Sequence, residues 1–239
     1  MIKSAILLAA GRGKRQRPYT DVTPKPLLEV HGRATLDYVL CAVARVGVER
    51  VCIVTNHLEE KIFEYAGDGS KWNLDITFAH QAELNGNGGA LSSVPKEWIR
   101  DESVMVVATD YILEENSLLE LVEACEQHNA DITMSLKKCP VEELTSRSSV
   151  DVDSDWRVKR IIEKPKREEI MSPYAASILF IFPAAIWEYL PKIKPSPRGE
   201  IEMQSAVQMM IEDGFKTYGL LQSAPQEWAP ELKKDSVVE

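Results

Sequence analysis

The sequence predicts an α/β fold in which a mostly parallel, doubly wound sheet is covered by helices on both faces. Two observations carry that prediction. Short β-branched runs alternate with helix-periodic segments over about the first 140 residues, the order that parallel strands require because each crossover must return over the sheet. The first apolar run, "AILLAA", opens directly onto "GRGKRQR", a loop of glycines and cations, and doubly wound sheets bind anions beyond the carboxyl ends of their strands.

Residues 5–10 read as the first strand. "LDYVLCAVARVG" follows as an amphipathic helix, because Leu36, Val39, Leu40 and Val43 recur at i, i+3, i+4 and i+7. Next come "RVCIVT" (strand), "LEEKIFEYAG" (helix), "LDITFAH" (strand), "GGALSSVPKEW" (helix), "SVMVVATD" (strand), "SLLELVEACEQH" (helix) and "DITMSLKK" (strand). After about residue 140 the rhythm changes. "RSSVDVDSDWRVKRIIEKP" predicts two strands around a polar turn, and "YAASILFIFP" another strand. Met203, Ala206, Val207, Met210 and Ile211 share one helical face, with Gly214 where a C-cap belongs. "KTYGLLQ" is a last strand before a tail with Pro225 and Pro230. No repeat or low-complexity linker interrupts the chain, so one domain over residues 1–239 is expected.

Composition narrows the function. A hydrophobic content of 44% over 239 residues is enough for a substantial core. No run approaches the roughly 20 apolar residues of a membrane span, and the amino-terminal apolar run is too short for a signal peptide. A cytoplasmic protein without membrane partners is expected. The 37 Asp and Glu against 28 Lys and Arg, net charge -9, argue against nucleic-acid binding, which needs a broad basic face. Cys41, Cys52, Cys125 and Cys139 are scattered without C-x-x-C spacing, which predicts buried free thiols and no zinc or disulfide.

Against that acidic background, Arg12, Lys14, Arg15 and Arg17 fall within six positions. Gly11 and Gly13 let backbone N–H groups turn toward an anion, and the cations can bond phosphate oxygens. A dinucleotide fingerprint is ruled out because no third glycine opens a helix, and a P-loop because no Lys-Ser/Thr follows. Taken alone, the loop suits either a phosphate cradle or a solvated basic turn.

The longer segment "LAAGRGKRQRPYTDVTPKPLLEV" resembles the signature of the sugar-phosphate nucleotidyltransferases, with Arg15, Pro18, Thr20 and Pro24-Lys25 in register. "GDGSKW", "QAELNGNGGAL", "VVATD", "RVKRIIEKP" and "RGEIEMQSAVQMMIEDG" follow in family order. The resemblance implies a mostly parallel, Rossmann-like, doubly wound mixed sheet, with residues 1–140 as a nucleotide-binding half and 141–239 as a sugar-binding half. It also implies a reaction in which a sugar 1-phosphate attacks the α-phosphorus of a nucleoside triphosphate and pyrophosphate leaves. By that resemblance Arg15 grips the leaving phosphates, with the backbone of Gly11, Gly13 and Lys14 completing the cradle. Lys25 draws the phosphates together, and Gln81 and Gly86 meet the base while Leu8 and Ala10 form the opposite wall. Asp110 holds Mg²⁺, Glu163 binds sugar hydroxyls and Lys164 neutralises the sugar phosphate.

Several positions depart from the family pattern. Lys14 replaces a small hydroxyl residue, Ser205 replaces an Asp, and Ser148 and Ser177 replace glycines lining the sugar pocket. Leu221 falls where the family has a second metal carboxylate, leaving Asp213 and Asp235 as candidates. The expected activity is Mg²⁺-dependent transfer from UTP or dTTP to a sugar 1-phosphate. The alternatives are a cytidylyltransferase acting on a phospho-alcohol or phosphonate, and a non-catalytic nucleotide-binding relative. Apolar faces of the later helices suit either homo-oligomer contacts or core packing.

Overall fold

The computed structural model describes residues 2–227 apart from 101 and 115, so Pro230 and Asp235 lie outside the described residues. In chain order the elements are β1 (Ser4–Leu8), β2 (Glu29–Val30), β3 (Arg33–Ala34), α1 (Thr35–Arg45), β4 (Arg50–Thr55), α2 (Glu59–Ala66), β5 (Asp75–His80) and α3 (Asn87–Ser92). They continue as β6 (Val104–Ala108), β7 (Tyr111–Ile112), α4 (Ser117–Gln127), β8 (Ile132–Lys138), α5 (Val141–Leu144), β9 (Ser148–Val152) and β10 (Val158–Glu163). The last are β11 (Tyr174–Phe182), α6 (Ile186–Tyr189), α7 (Met203–Glu212), β12 (Thr217–Leu221) and β13 (Gln226–Glu227).

Seven strands form one sheet in the order β12-β8-β11-β6-β1-β4-β5. All run the same way except β11, which is antiparallel to both β6 and β8. From β1 the chain winds outward through β4 to β5, then returns to β6 on the other side of β1. That reversal makes the carboxyl end of β1 the switch point where a crevice opens.

Alternation along the strands builds a core on each face. Ile6, Val106 and Phe180 point to one side, while Leu7, Val107 and Ile181 point to the other. On the second side α1 buries Leu36, Val39, Leu40 and Val43 completely. Met203, Ala206, Val207 and Met210 of α7 are equally buried on the first. Each such Leu, Val or Met stabilises the fold by about 1.5–3 kcal/mol relative to exposure. Helix α7 ends as its sequence predicts, with Gly214 at φ +93°.

Two expectations need adjustment. "GGALSSVPKEW" is not one helix: α3 stops at Ser92, and after Pro95 a separate 3₁₀ turn covers Lys96–Trp98, because proline cannot supply the N–H a continuing helix needs. All four cysteines are free, but only Cys52 and Cys139 are buried; Cys41 is exposed. It lies in α1 off the stripe of Leu36, Val39, Leu40 and Val43 that faces the sheet. Among the described residues no helix is long and apolar enough to cross a membrane.

Candidate active site

The loop after β1 is shaped by packing as much as by charge. It turns at Gly13, whose φ of +60° favours glycine. A Cβ at Gly13 would lie 2.7 Å from Thr20 Cγ2, and the Thr20 hydroxyl donates to the Gly13 carbonyl at 2.8 Å. Glycine and threonine of the signature are thus two halves of one contact. From outside, Lys61 Nζ donates to the Val22 carbonyl at 2.5 Å, and His57 Nε2 lies 3.0 Å from the Thr20 carbonyl.

A cleft of about 660 Å³ opens here, lined on the loop side by Leu8, Ala10, Gly11, Gly13, Lys14 and Arg15. Lys25 enters from a 3₁₀ turn over Lys25–Leu27, anchored by buried Pro26. Asp110 enters from the end of β6, two residues beyond Ala108. Their side chains form an ion pair within the cleft.

Gln81 and Gly86 make a third wall. Gln81 is 4% exposed, and its Nε2 donates to the Gly86 carbonyl at 3.0 Å and to Asn85 Oδ1 at 3.3 Å. Both partners are acceptors, so only the amide nitrogen can face them, and Oε1 is left without a donor among the described residues. Asn56 Nδ2 fixes the backbone of Gln81 by donating to its carbonyl at 2.9 Å. Gly86 has φ +109°, and a Cβ on it would meet the Ile201 carbonyl oxygen at 2.4 Å. Ile201 N donates to the Asn85 carbonyl at 2.5 Å, and Gly88 N donates to the Ile201 carbonyl at 2.8 Å. Residues 85–88 are thereby laced to the segment that carries Glu200.

Next to the Glu200 segment, the β9–β10 hairpin pairs Glu163 with Ser148. Lys164 follows with φ +47°, a left-handed conformation that costs a residue with a side chain about 1 kcal/mol or more. Its N–H donates to the Arg147 carbonyl at 2.6 Å. Lys164 Nζ donates to Glu200 Oε2 at 2.9 Å, and Arg198 Nε approaches the same oxygen at 3.4 Å. Glu200 lines the cleft; Glu163 and Lys164 stand behind it. Burial, and then the Glu202 carboxylate, push Glu163 up to about 7, with Lys164 and Arg198 opposing the shift.

Ser148 and Ser177 do not line the cleft. Ser148 Oγ accepts the Ala176 N–H at 2.8 Å and is used in joining β9 to β11. Ser177 is 1% exposed and its Oγ has no partner among the described residues. β11 shifts register between Ala176 and Phe180, and it is Ile178 that lines the cleft.

The departure at Leu221 has a topological explanation. Leu221 ends β12, the third strand from β6, about 14 Å away at the usual strand spacing. Asp213 caps α7 at the end of the sheet opposite the cleft, where it accepts the Tyr189 hydroxyl at 2.6 Å, so it is removed as a metal ligand. The chain returns to Asp110 later: the backbone of Glu227 pairs with that of Tyr111 between β13 and β7. Among the described residues no group of three or more His, Cys, Asp or Glu is placed to hold a metal.

Asn56, Asn85 and Glu200 were not singled out by the sequence. The runs "NGNGG" and "RGE" that hold two of them are visible, but Ile201, which bonds the Asn85 carbonyl, and Lys164, which bonds Glu200, are far from them in sequence.

Fold and cleft together define an α/β protein with a glycine- and cation-rich loop at the switch point of its sheet. Residues 4–228 match the family model described as Nucleotidyl transferase, and the chain belongs to that family. Low-salt glycan biosynthesis nucleotidyltransferase Agl11 of Haloferax volcanii is 30% identical over 211 residues, which cover 88% of this chain and 57% of that protein. UTP–glucose-1-phosphate uridylyltransferase AglF of the same organism is 32% identical over 88% of this chain and 84% of its own length. Glucose-1-phosphate thymidylyltransferase of Streptomyces antibioticus is 30% identical over 88% of this chain and 58% of its own length. The chain therefore spans little more than half of two of these three relatives. A crystal structure of UDP-glucose pyrophosphorylase complexed with UDP-glucose shares the fold, with a TM-score of 0.83 over 99% of this chain and 97% of that one at 19% identity.

Proposed function

We propose that this chain transfers a nucleotidyl group from UTP or dTTP to a sugar 1-phosphate, releasing pyrophosphate. The observation that carries the proposal is the meeting of Arg15, Lys25, Asp110 and Gln81 in one cleft from four separate segments. Little covalent chemistry is asked of the protein in phosphoryl transfer. Alignment of two anions and neutralisation of developing charge supply the rate.

Arg15 and the loop N–H groups hold the β- and γ-phosphates, so that pyrophosphate departs against positive charge. Lys25 binds across the α-phosphate, Lys164 draws in the acceptor's phosphate, and Glu163 bonds the sugar's hydroxyls. Asp110 is a hard-oxygen donor beside the expected α-phosphate, and Mg²⁺ completes its shell with phosphate oxygens and water, so a site with one described carboxylate fits that ion. When bound, Mg²⁺ supplies neutralisation of the phosphate oxygens.

The base preference follows from Gln81. With its amide nitrogen held by Gly86 and Asn85, the free Oε1 is an acceptor. Uracil and thymine offer an N3–H to it, whereas cytosine presents a lone pair there, so UTP and dTTP are favoured over CTP. Pyrophosphate release should be measured with UTP, dTTP and CTP, each crossed with sugar 1-phosphates and phospho-alcohols. Turnover with UTP or dTTP and a sugar 1-phosphate is expected; silence with every pair would reject the transferase function.

A further inference from the structure

Among the described residues Glu200 is the one acidic side chain besides Asp110 that lines the cleft, and it meets Lys164, which the function proposed above sets at the acceptor's phosphate. A single oxygen, Oε2, holds both Lys164 Nζ at 2.9 Å and Arg198 Nε at 3.4 Å. Two cations converging on one carboxylate oxygen form an anion site already filled from within. Arg198 is further tied to Glu202, which keeps that cation at the site whether or not Glu200 remains beside it.

Glu200 itself can leave. Its backbone is fixed, because its carbonyl accepts the Ser196 N–H at 2.9 Å and the next residue is laced to Asn85 and Gly88. Its side chain is 38% exposed, so rotation into water exchanges a screened ion pair for hydration at small cost. The cation pair also holds the carboxyl below its usual range, chiefly through the Lys164 bond.

We propose that Glu200 is an internal counter-anion of the acceptor subsite, occupying the Lys164–Arg198 pair until a phosphate monoester displaces it. Resting on the transferase function proposed above, this assigns Glu200 a specificity role. It raises the threshold by the same free energy for any anion, so inorganic phosphate and sulfate, which lack the sugar's further contacts to offset it, are left too weakly held to occupy the subsite.

The test is calorimetric titration of inorganic phosphate into the whole chain, comparing parent, Glu200→Gln and Glu200→Gln/Lys164→Met, after matched thermal unfolding shows that all three are folded. Glu200→Gln should bind phosphate about three- to tenfold more tightly than the parent, the scale of a partly exposed ion pair. That gain should disappear in the double variant. Kinetically, the KM for the sugar phosphate should fall, and inorganic phosphate should become a correspondingly stronger competitor of the acceptor, without a rise in kcat. Unchanged or weaker phosphate binding by Glu200→Gln overturns the proposal, as does a gain that survives loss of Lys164. Because the titration needs no turnover, it stands even if no substrate pair reacts.

Discussion

Lys25 and Asp110, 85 residues apart in sequence, are joined by an ion pair between Nζ and Oδ2 inside the cleft. A cation at Asp110 is expected to compete with Lys25, and a triphosphate that draws Lys25 away is expected to free Asp110. Metal and nucleotide are expected to bind together better than either alone. Lys25→Met should take up Mn²⁺, followed by electron paramagnetic resonance without nucleotide, more tightly than the parent, while its turnover falls about a hundredfold or more. Unaltered Mn²⁺ affinity in that variant would show that the pair does not compete with metal.

Gln81 should set the choice of pyrimidine. The parent is expected to favour UTP over CTP in kcat/KM by about tenfold or more, the worth of one well-formed hydrogen bond set against one repulsive contact. Gln81→Ala removes acceptor and donor together, and the ratio should collapse toward unity. A ratio that survives the substitution would place base reading elsewhere.

Gly86→Ala should be among the most damaging small substitutions in the chain. The added methyl would meet the Ile201 carbonyl at 2.4 Å on a backbone with φ +109°, and both neighbours are fixed by hydrogen bonds. A loss of about 2–4 kcal/mol in urea unfolding is expected, with nucleotide affinity falling in step.

Glu163 gives stability a pH dependence of defined sign. Its folded pKa of about 7 lies above its ordinary value of 4.5, so between those values the folded chain holds a proton that the unfolded chain has lost. Stability therefore declines as pH rises through that window. Glu163→Gln should be more stable than the parent at pH 8 by on the order of 1 kcal/mol, the full shift being reduced by contact with water. Denaturant curves at pH 8 and pH 4 check this, the difference vanishing at the lower pH.

Local pattern was enough to recover much of the fold. The α1 stripe, the β9–β10 hairpin and the Gly214 cap could be read because periodicity and turn chemistry act between near neighbours. Arg15, Lys25 and Asp110, which the structure brings to one cleft, were legible through the family resemblance. Glu200 was not, since its meaning comes from Lys164, which reaches it only through the packing of β10 beside α7. Ser148 and Ser177 fall outside the cleft lining, where Ile178 of β11 stands instead. At the carboxyl end, Leu221 stands where the family pattern has its second metal carboxylate, whereas among the described residues strand pairing brings the chain beside Tyr111, next to Asp110, at Glu227.

β11 runs against its neighbours and yet closes the gap between β6 and β8. The strands that deliver the loop after β1 and those beneath the acceptor side consequently belong to one hydrogen-bonded lamina, with no seam about which two bodies could swing. Ligands of the cleft on such a platform are expected to be engaged by rotating side chains and shifting loops, motions of nanoseconds to microseconds. The sheet behaves as a jig: it sets the span between the loop after β1 and the Glu200 segment once, at folding, and leaves the charged side chains mounted along it as the parts free to move.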